Sequence, residues 1–252
     1  MDINGRRQEI LNILQEKDYV TVDEFSRLLE VSAVTIRTDL TALEAEGLLI
    51  RTHGGAMINE KKGKARLISR TMCEFEAEKK AIARRAASLI SSGSTIILDS
   101  GSTTIHIIEY IKDMDITVVT NNVLAIEKLR NEEHIKLVTL GGTLRRESMG
   151  TIGPLANNAV KSMNVDVYLM GAAAYDDEII SSSDIVEAEL KQNMLRSADK
   201  VVFLADSSKY GKRAFSTVCT WKDIDTFISD RVSLDFRREL EERGVEVLSA
   251  DD

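Results

Sequence analysis

At 252 residues, with 43% hydrophobic and 29% charged side chains, the chain can fill one large domain or two unequal ones with a real core. Lys and Arg total 33 against 41 Asp and Glu, a net charge of −8, which excludes a protein that coats nucleic acid or membranes indiscriminately but leaves room for a small DNA-reading surface. No apolar run reaches the ~18 residues of a membrane span and MDINGRRQEI lacks a signal-peptide core, so no membrane partner and a cytoplasmic location are expected. The 2 cysteines and 3 histidines are scattered, so neither a disulfide framework, a metal site nor a cofactor is expected.

The first elements are short helices. Residues 5–16 place Ile10, Leu11, Ile13 and Leu14 on one side of a helix. Thr21-Val-Asp-Glu24 has capping-box form and starts a second helix with Val22, Phe25, Leu28 and Leu29 as its apolar stripe. Ser32 caps a third helix, whose Ile36, Leu40 and Leu43 recur at i, i+4, i+7. Two helices about three residues apart make a helix-turn-helix over roughly residues 20–39. The third helix turns Thr35, Arg37, Thr38 and Thr41 outward, short hydroxyls and a guanidinium that suit phosphate oxygens and base edges. LLIRTHGGAMI then alternates and turns at Gly54-Gly55 as a small hairpin, with Arg51 and His53 where a wing touches DNA. The same pattern also serves three-helix modules that never meet DNA, and acidic residues outnumber basic ones over 1–56.

Residues 57 to about 75 show no clean period and, with Lys61, Lys62, Lys64, Arg66 and Arg70, form a basic linker, either solvated or DNA-flanking. From about 77 the texture changes. Ile82, Ala83, Ala86, Leu89 and Ile90 line a helix, and Gly93 reads as its stop. Then come TIILD (95–99), ITVVT (116–120), IKLVTL (135–140), VDVYLM (165–170), KVVFLAD (200–206) and DTFIS (225–229). Such β-branched runs with little polar alternation predict a parallel sheet buried on both faces, with helical crossovers between its strands. Asp99-Ser-Gly-Ser-Thr-Thr104 follows the first strand and opens a helix, so amides and hydroxyls converge on a point suited to a phosphate; an ordinary strand-to-helix turn has the same composition. Other strand ends are polar or Gly-rich: Thr120-Asn121-Asn122, Gly141-Gly142, Gly171 and Asp206-Ser-Ser-Lys209. Glu187 and Lys191 form an i,i+4 pair of the kind that supports a helix surface.

The string VS-x-x-TIR-x-DL-x-x-LE-x-x-G-x-L-x-R-x-HGGA, within residues 20–56, resembles the winged helix-turn-helix of the DeoR family of bacterial sugar-metabolism repressors. LDSGSTT (98–104), VVTNN (118–122), GGT (141–143) and EAELKQNMLRSADKVVFLADSSKYGKRAF (187–215) resemble that family's sensing domain. The resemblance implies an α/β protein: a winged helix-turn-helix (1–57), a linker (58–76) and a larger Rossmann-like parallel-sheet domain (77–252) resembling ribose-5-phosphate isomerase. It implies a non-enzymatic repressor of a sugar operon, with double-stranded operator DNA, a phosphorylated sugar effector and self-association as dimer or tetramer. Operator contacts would fall on Ser32, Thr35, Arg37, Thr38, Thr41, Arg51 and His53. Phosphate contacts would fall on Ser102, Thr103 and Thr104 with Gly101, and sugar-side or supporting roles on Asp99, Asn121, Gly141, Gly142 and Lys209. Thr38 replaces the family's usual second Arg, Gly171-Ala-Ala-Ala-Tyr-Asp-Asp177 replaces its G-x-D-G-[IV] loop, and Ser181-Ser-Ser183 replaces the T-[TS] pair. The alternative is a sugar-phosphate isomerase with an accessory N-terminal module, casting Glu187 or Glu189 as base and Lys209 as electrophile.

Overall fold

A computed structural model describes residues 3–17, 19–45, 48–52, 54–58 and 68–250. The chain divides into two compact units, Met1–Gly63 and Lys64–Asp252. Among the described residues no helix is long and apolar enough to cross a membrane.

The smaller unit runs α1 (Ile3–Glu16), β1 (Tyr19–Thr21), α2 (Val22–Leu29), α3 (Ala33–Ala45), β2 (Leu49–Arg51) and β3 (Gly55–Ile58). Thr21 Oγ1 accepts the Glu24 amide at 3.1 Å and so starts α2. A left-handed Glu30, φ 53°, ends it and swings the chain into α3. Ile10, Leu14, Phe25, Ile36, Leu40 and Leu43 form the core with Val20, Leu49 and Ala56 of the strands. Leu28, expected in the buried stripe, is instead 52% exposed. β3 lies between β1 and β2, antiparallel to both, which makes the wing three-stranded. Gly55 permits this, because a Cβ there would sit 2.2 Å from the Val20 carbonyl oxygen.

The larger unit begins with α4 (Ile68–Cys73) and α5 (Glu76–Ala87). Part of the segment that reads as a linker is therefore helical, with Ile68 buried and its amide bonded to the Glu147 carbonyl at 2.7 Å. Helix α5 ends at Ala87 with Ser88 as its cap, so Gly93, at φ +85°, serves the later turn into the sheet rather than a helix stop. β4 (Thr95–Leu98) leads through a 3-10 turn at Thr104–Ile107 into α6 (Ile108–Ile111). Then follow β5 (Ile116–Thr120), α7 (Val123–Leu129), β6 (Ile135–Thr139), the hairpin β7 (Thr143–Arg145) and β8 (Gly150–Ile152), α8 (Pro154–Val160) and β9 (Val165–Met170). The chain continues through β10 (Ala174–Tyr175), β11 (Ile179–Ser182), α9 (Ile185–Arg196), β12 (Ala198–Leu204), β13 (Ser216–Thr220), β14 (Thr226–Ser229), α10 (Leu234–Glu242) and β15 (Glu246–Ser249).

Seven strands form one parallel sheet in the order β15-β14-β12-β9-β4-β5-β6. Alternate side chains feed two separate cores. Ile97, Val119, Tyr168, Met170, Phe203 and Phe227 lie in one, and Ile96, Leu98, Val118, Leu169, Val202 and Ile228 in the other. Burial on both faces explains why the strands read as unbroken apolar runs. The pattern misses β15, an edge strand, and the small antiparallel sheet β10-β11-β13. From β4 the chain builds outward to β6, then returns to place β9 on the other side of β4. The reversal between β4 and β9 is the point where open α/β sheets leave a crevice at the strands' carboxyl ends.

Candidate functional site

In α3, Ile36, Leu40 and Leu43 are buried, while Val34, Arg37, Thr38 and Thr41 are exposed on the opposite side. At 100° per residue those four lie within one stripe about 100° wide. Val34 is 69% exposed and was not foreseen on this face. Ser32 Oγ accepts the Thr35 amide at 3.2 Å and shares a hydrogen bond with Thr35 Oγ1 at 2.9 Å. Thr35 is thus half-buried at the helix start, with its hydroxyl engaged by the cap. Thr38 Oγ1 donates to the Val34 carbonyl at 3.0 Å, and Thr41 Oγ1 to the Arg37 carbonyl at 2.8 Å. Arg51 of the wing donates to Thr41 Oγ1 at 2.7 Å, and its amide to Glu44 Oε1 at 3.0 Å, so β2 is tied to α3. His53 lies outside the described residues.

A second tie comes from a residue the sequence pattern passes over. Asp39, 2% exposed on α3, takes Arg6 Nε on Oδ2 at 2.6 Å and Arg7 Nε on Oδ1 at 3.1 Å. Both basic residues of α1 are therefore engaged within the unit, and Arg37 is left as an exposed cation on the outer stripe of α3.

The larger unit concentrates its buried polar groups at the reversal between β4 and β9. Asp99, just past β4, is 1% exposed: Oδ1 accepts the Ser100 amide at 2.8 Å and Oδ2 the Gly171 amide at 2.9 Å. Lys191 of α9, also buried, pairs with Asp99 Oδ2 and donates to the Gly171 carbonyl at 3.0 Å. The i,i+4 reading of Glu187 and Lys191 as a surface pair is thereby corrected. Both are buried, because this side of α9 packs on the sheet, and each takes a different partner. Glu187 accepts from Ser182 Oγ at 2.5 Å, with Arg145 of β7 at 3.8 Å.

The loop 99–104 folds tightly. Thr104 Oγ1 donates to the Asp99 and Gly101 carbonyls, at 2.8 and 3.0 Å, so its hydroxyl hydrogen is engaged by the turn itself. Gly101 lies against Gly171, 3.8 Å from a Cβ built there. The amides of Gly101, Ser102 and Thr103 have no acceptor among the described residues. Thr103 Oγ1 and Asn121 Oδ1 are buried without a partner. The Asn121 amide donates to Ser100 Oγ and the Thr151 carbonyl, at 3.2 and 3.1 Å. Asn122 caps α7.

Lys209 joins the cluster from the 3-10 turn after β12, donating to the Ala172 carbonyl at 3.0 Å and lying 3.9 Å from Asp206 Oδ2. Lys79 of α5 approaches the same oxygen to 3.8 Å and donates to the Thr71 carbonyl at 2.8 Å. Burial pushes the Lys209 ammonium down to about 8; Asp206 opposes that shift, and the nearby Lys79 and Lys191 charges add to it. Lys79 is lowered by the same desolvation, with Asp206 again opposing. Among the described residues no cluster could hold a metal ion. Gly141 and Gly142 lie past β6, two strands or about 10 Å from β4. Both are exposed, and Gly142 answers to the hairpin: at φ +135° a Cβ would meet the Ile152 carbonyl oxygen at 2.4 Å.

The chain matches the models of the DeoR-like helix-turn-helix domain over residues 6–62 and the DeoR C-terminal sensor domain over residues 74–231. It is 35% identical to the HTH-type transcriptional regulator GlpR of Haloferax volcanii, over 96% of each chain. It is 32% identical to the HTH-type transcriptional repressor GlcR of Bacillus subtilis, over 95% of this chain and 93% of that one. Among solved structures, ribose 5-phosphate isomerase A of Neisseria gonorrhoeae aligns with a TM-score of 0.40 and 22% identity, over 54% of this chain and 53% of that one. With both family domains matched in order and relatives of this identity along nearly its full length, the chain belongs to the DeoR family and is a transcriptional regulator rather than an enzyme.

Proposed function

We propose that this regulator represses a sugar transport or catabolism operon from the cytoplasm, as a dimer or tetramer, with its hold on the operator controlled by a phosphorylated sugar. Residues 1–57 read the operator, through α3 and the wing; the chain between them and α4 connects; and the larger unit, from α4 onward, binds the effector and assembles the oligomer. The phosphate sits against the amides of Gly101, Ser102 and Thr103 and the Thr103 hydroxyl, and the sugar lies toward Asn121 and Lys209. Asp99 and Lys191 brace that cradle.

The observation that carries this reading is the group of unengaged polar atoms at the sheet's reversal point: three amides without acceptors beside the buried, partnerless Thr103 Oγ1 and Asn121 Oδ1. Unpaired buried polar groups cost ~1–3 kcal/mol each, and a phosphate oxygen or sugar hydroxyl relieves that cost. The test mixes the protein with fragmented genomic DNA at physiological salt and sequences what it retains. A panel of pentose and hexose phosphates is then added to the complexes. Sites beside sugar-transport or catabolic genes, released or tightened by one phosphorylated sugar and not by its unphosphorylated form, are the expected result. Retained sites that no sugar phosphate affects refute the effector assignment.

A further inference from the structure

The outward stripe of α3 chemically differs from what its composition suggests. Two of its three polar residues are threonines whose hydroxyl hydrogens return to the helix: Thr38 Oγ1 donates to the Val34 carbonyl at 3.0 Å and Thr41 Oγ1 to the Arg37 carbonyl at 2.8 Å. Thr41 Oγ1 is also taken as acceptor by Arg51. A threonine bonded back to its i−4 carbonyl has no hydrogen left to donate to a base. Thr38 remains exposed, and with its hydroxyl hydrogen engaged it has a methyl group and an acceptor oxygen, but no donor, to offer a base. Val34, one turn earlier on the same stripe and 69% exposed, offers two more methyls. Arg37, exposed, lies at the edge of the same stripe, about 60° round the helix from Val34. The stripe thus sets an adjacent apolar pair beside a cation.

In the major groove the feature that apolar side chains recognise is the thymine C5-methyl. Four residues of helix rise by ~6 Å, close to two base-pair steps at ~3.4 Å each. On the reading above, that α3 enters the operator's major groove, we infer that Val34 and Thr38 are specificity-determining residues that recognise the C5-methyl groups of two thymines about two base steps apart in each half-site. The hydroxyl of Thr38 takes no part in that recognition.

The test uses the full-length protein and the genomic sites it retains. Each thymine of a retained site is replaced singly by deoxyuridine, which keeps every hydrogen-bonding edge and lacks only the methyl. Binding is expected to fall about fourfold at two positions per half-site, the ratio corresponding to ~0.8 kcal/mol for one buried carbon. Thr38→Ser keeps the hydroxyl and removes the methyl; it should lose the same factor and become indifferent to deoxyuridine at one of those positions. Thr38→Val keeps a methyl and removes the hydroxyl, and should bind as tightly as the parent. Val34→Ala should abolish sensitivity at the other position. Circular dichroism confirms the fold of each variant, and the exposed site of all three leaves the core untouched. If no deoxyuridine position matters, or if Thr38→Val loses as much as Thr38→Ser, the methyl assignment falls while operator binding stands. If the parent protein retains no DNA at all, the operator reading falls and takes this one with it.

Discussion

The buried Asp99–Lys191 pair lies at the centre of the proposed effector cradle, and its contribution to stability can be worked from its contacts. Lys191→Met removes the ammonium while keeping an unbranched stem of similar length. Deleting one partner of a buried ion pair costs ~3–5 kcal/mol because a charge is left uncompensated. Asp99 keeps the Ser100 and Gly171 amides at 2.8 and 2.9 Å, which holds that part of the loss near the lower end. The Gly171 carbonyl loses its donor at 3.0 Å, adding about 1 kcal/mol. The expected destabilisation is ~3–5 kcal/mol. Asp99→Asn alone should cost about 3 kcal/mol, since Lys191 then has only the Gly171 carbonyl. The double variant removes both charges, and its loss should fall short of the sum by at least ~2 kcal/mol. Urea unfolding followed by Trp221 fluorescence reads this directly, because the single tryptophan is 1% exposed in the larger unit, packed on Tyr175, Phe203, Phe227 and Phe236. If the two single losses simply add, within about 0.5 kcal/mol, the pair is not coupled and the argument fails.

Three further outcomes follow from the contacts. Arg6→Ala takes one of two guanidinium groups from buried Asp39; thermal unfolding should show a loss of ~1.5–3 kcal/mol, the value of a hydrogen bond to a charged group, and a loss under 0.5 would show Arg7 suffices. Arg37→Ala should weaken operator binding ~5–150-fold in filter binding at fixed salt, the range of 1–3 kcal/mol for one good base contact, and unchanged binding would remove α3 from the interface. Lys209, with its ammonium held at about 8, sets a pH window. The folded protein binds fewer protons than the unfolded chain between about 8 and the ordinary lysine value. Stability therefore rises with pH across that window, and the cost of the buried charge is fully present below 8. An anionic effector needs the charged form, so its affinity should fall as pH passes upward through 8; calorimetric titration checks this, and a slope that persists in Lys209→Met would assign it elsewhere.

How much of this was legible in the sequence depended on where each interaction's partner lay. ITVVT and VDVYLM coincide with β5 and β9, because a strand buried on both faces has a signature that needs no neighbour to interpret. β15 failed the same pattern: an edge strand with only Val247 buried has no run of buried apolar residues to mark it. The third helix was legible from Ser32 and the Ile36, Leu40, Leu43 period, and Arg37, Thr38 and Thr41 do face outward, but Val34 was not foreseen there, and composition cannot say that a threonine hydroxyl has turned back on its own helix. Asp39 and Lys191 were missed for a different reason. The partner of Asp39 is Arg6, on another helix, and that of Lys191 is Asp99, 92 residues away. A helical i,i+4 rule sees Glu187 beside Lys191 and stops there.

The two candidate sites lie in separate compact units, and an influence of effector on operator is expressed as a coupling free energy. Such couplings are ~1–3 kcal/mol, or about 5–150-fold, and they act equally in both directions. Suppose the sugar phosphate lowers operator affinity tenfold at saturation. Saturating operator DNA must then raise the effector's Kd tenfold. Titrating effector into the complex distinguishes this from direct competition: coupling reaches a plateau set by that factor, whereas a ligand competing at α3 keeps lowering the apparent operator affinity with every increment. A plateau in one direction, matched by an equal factor in the other, is the expected outcome. An operator affinity that falls without limit would move the ligand from the crevice between β4 and β9 to the DNA-reading face, and Thr103→Val would then leave the response unchanged.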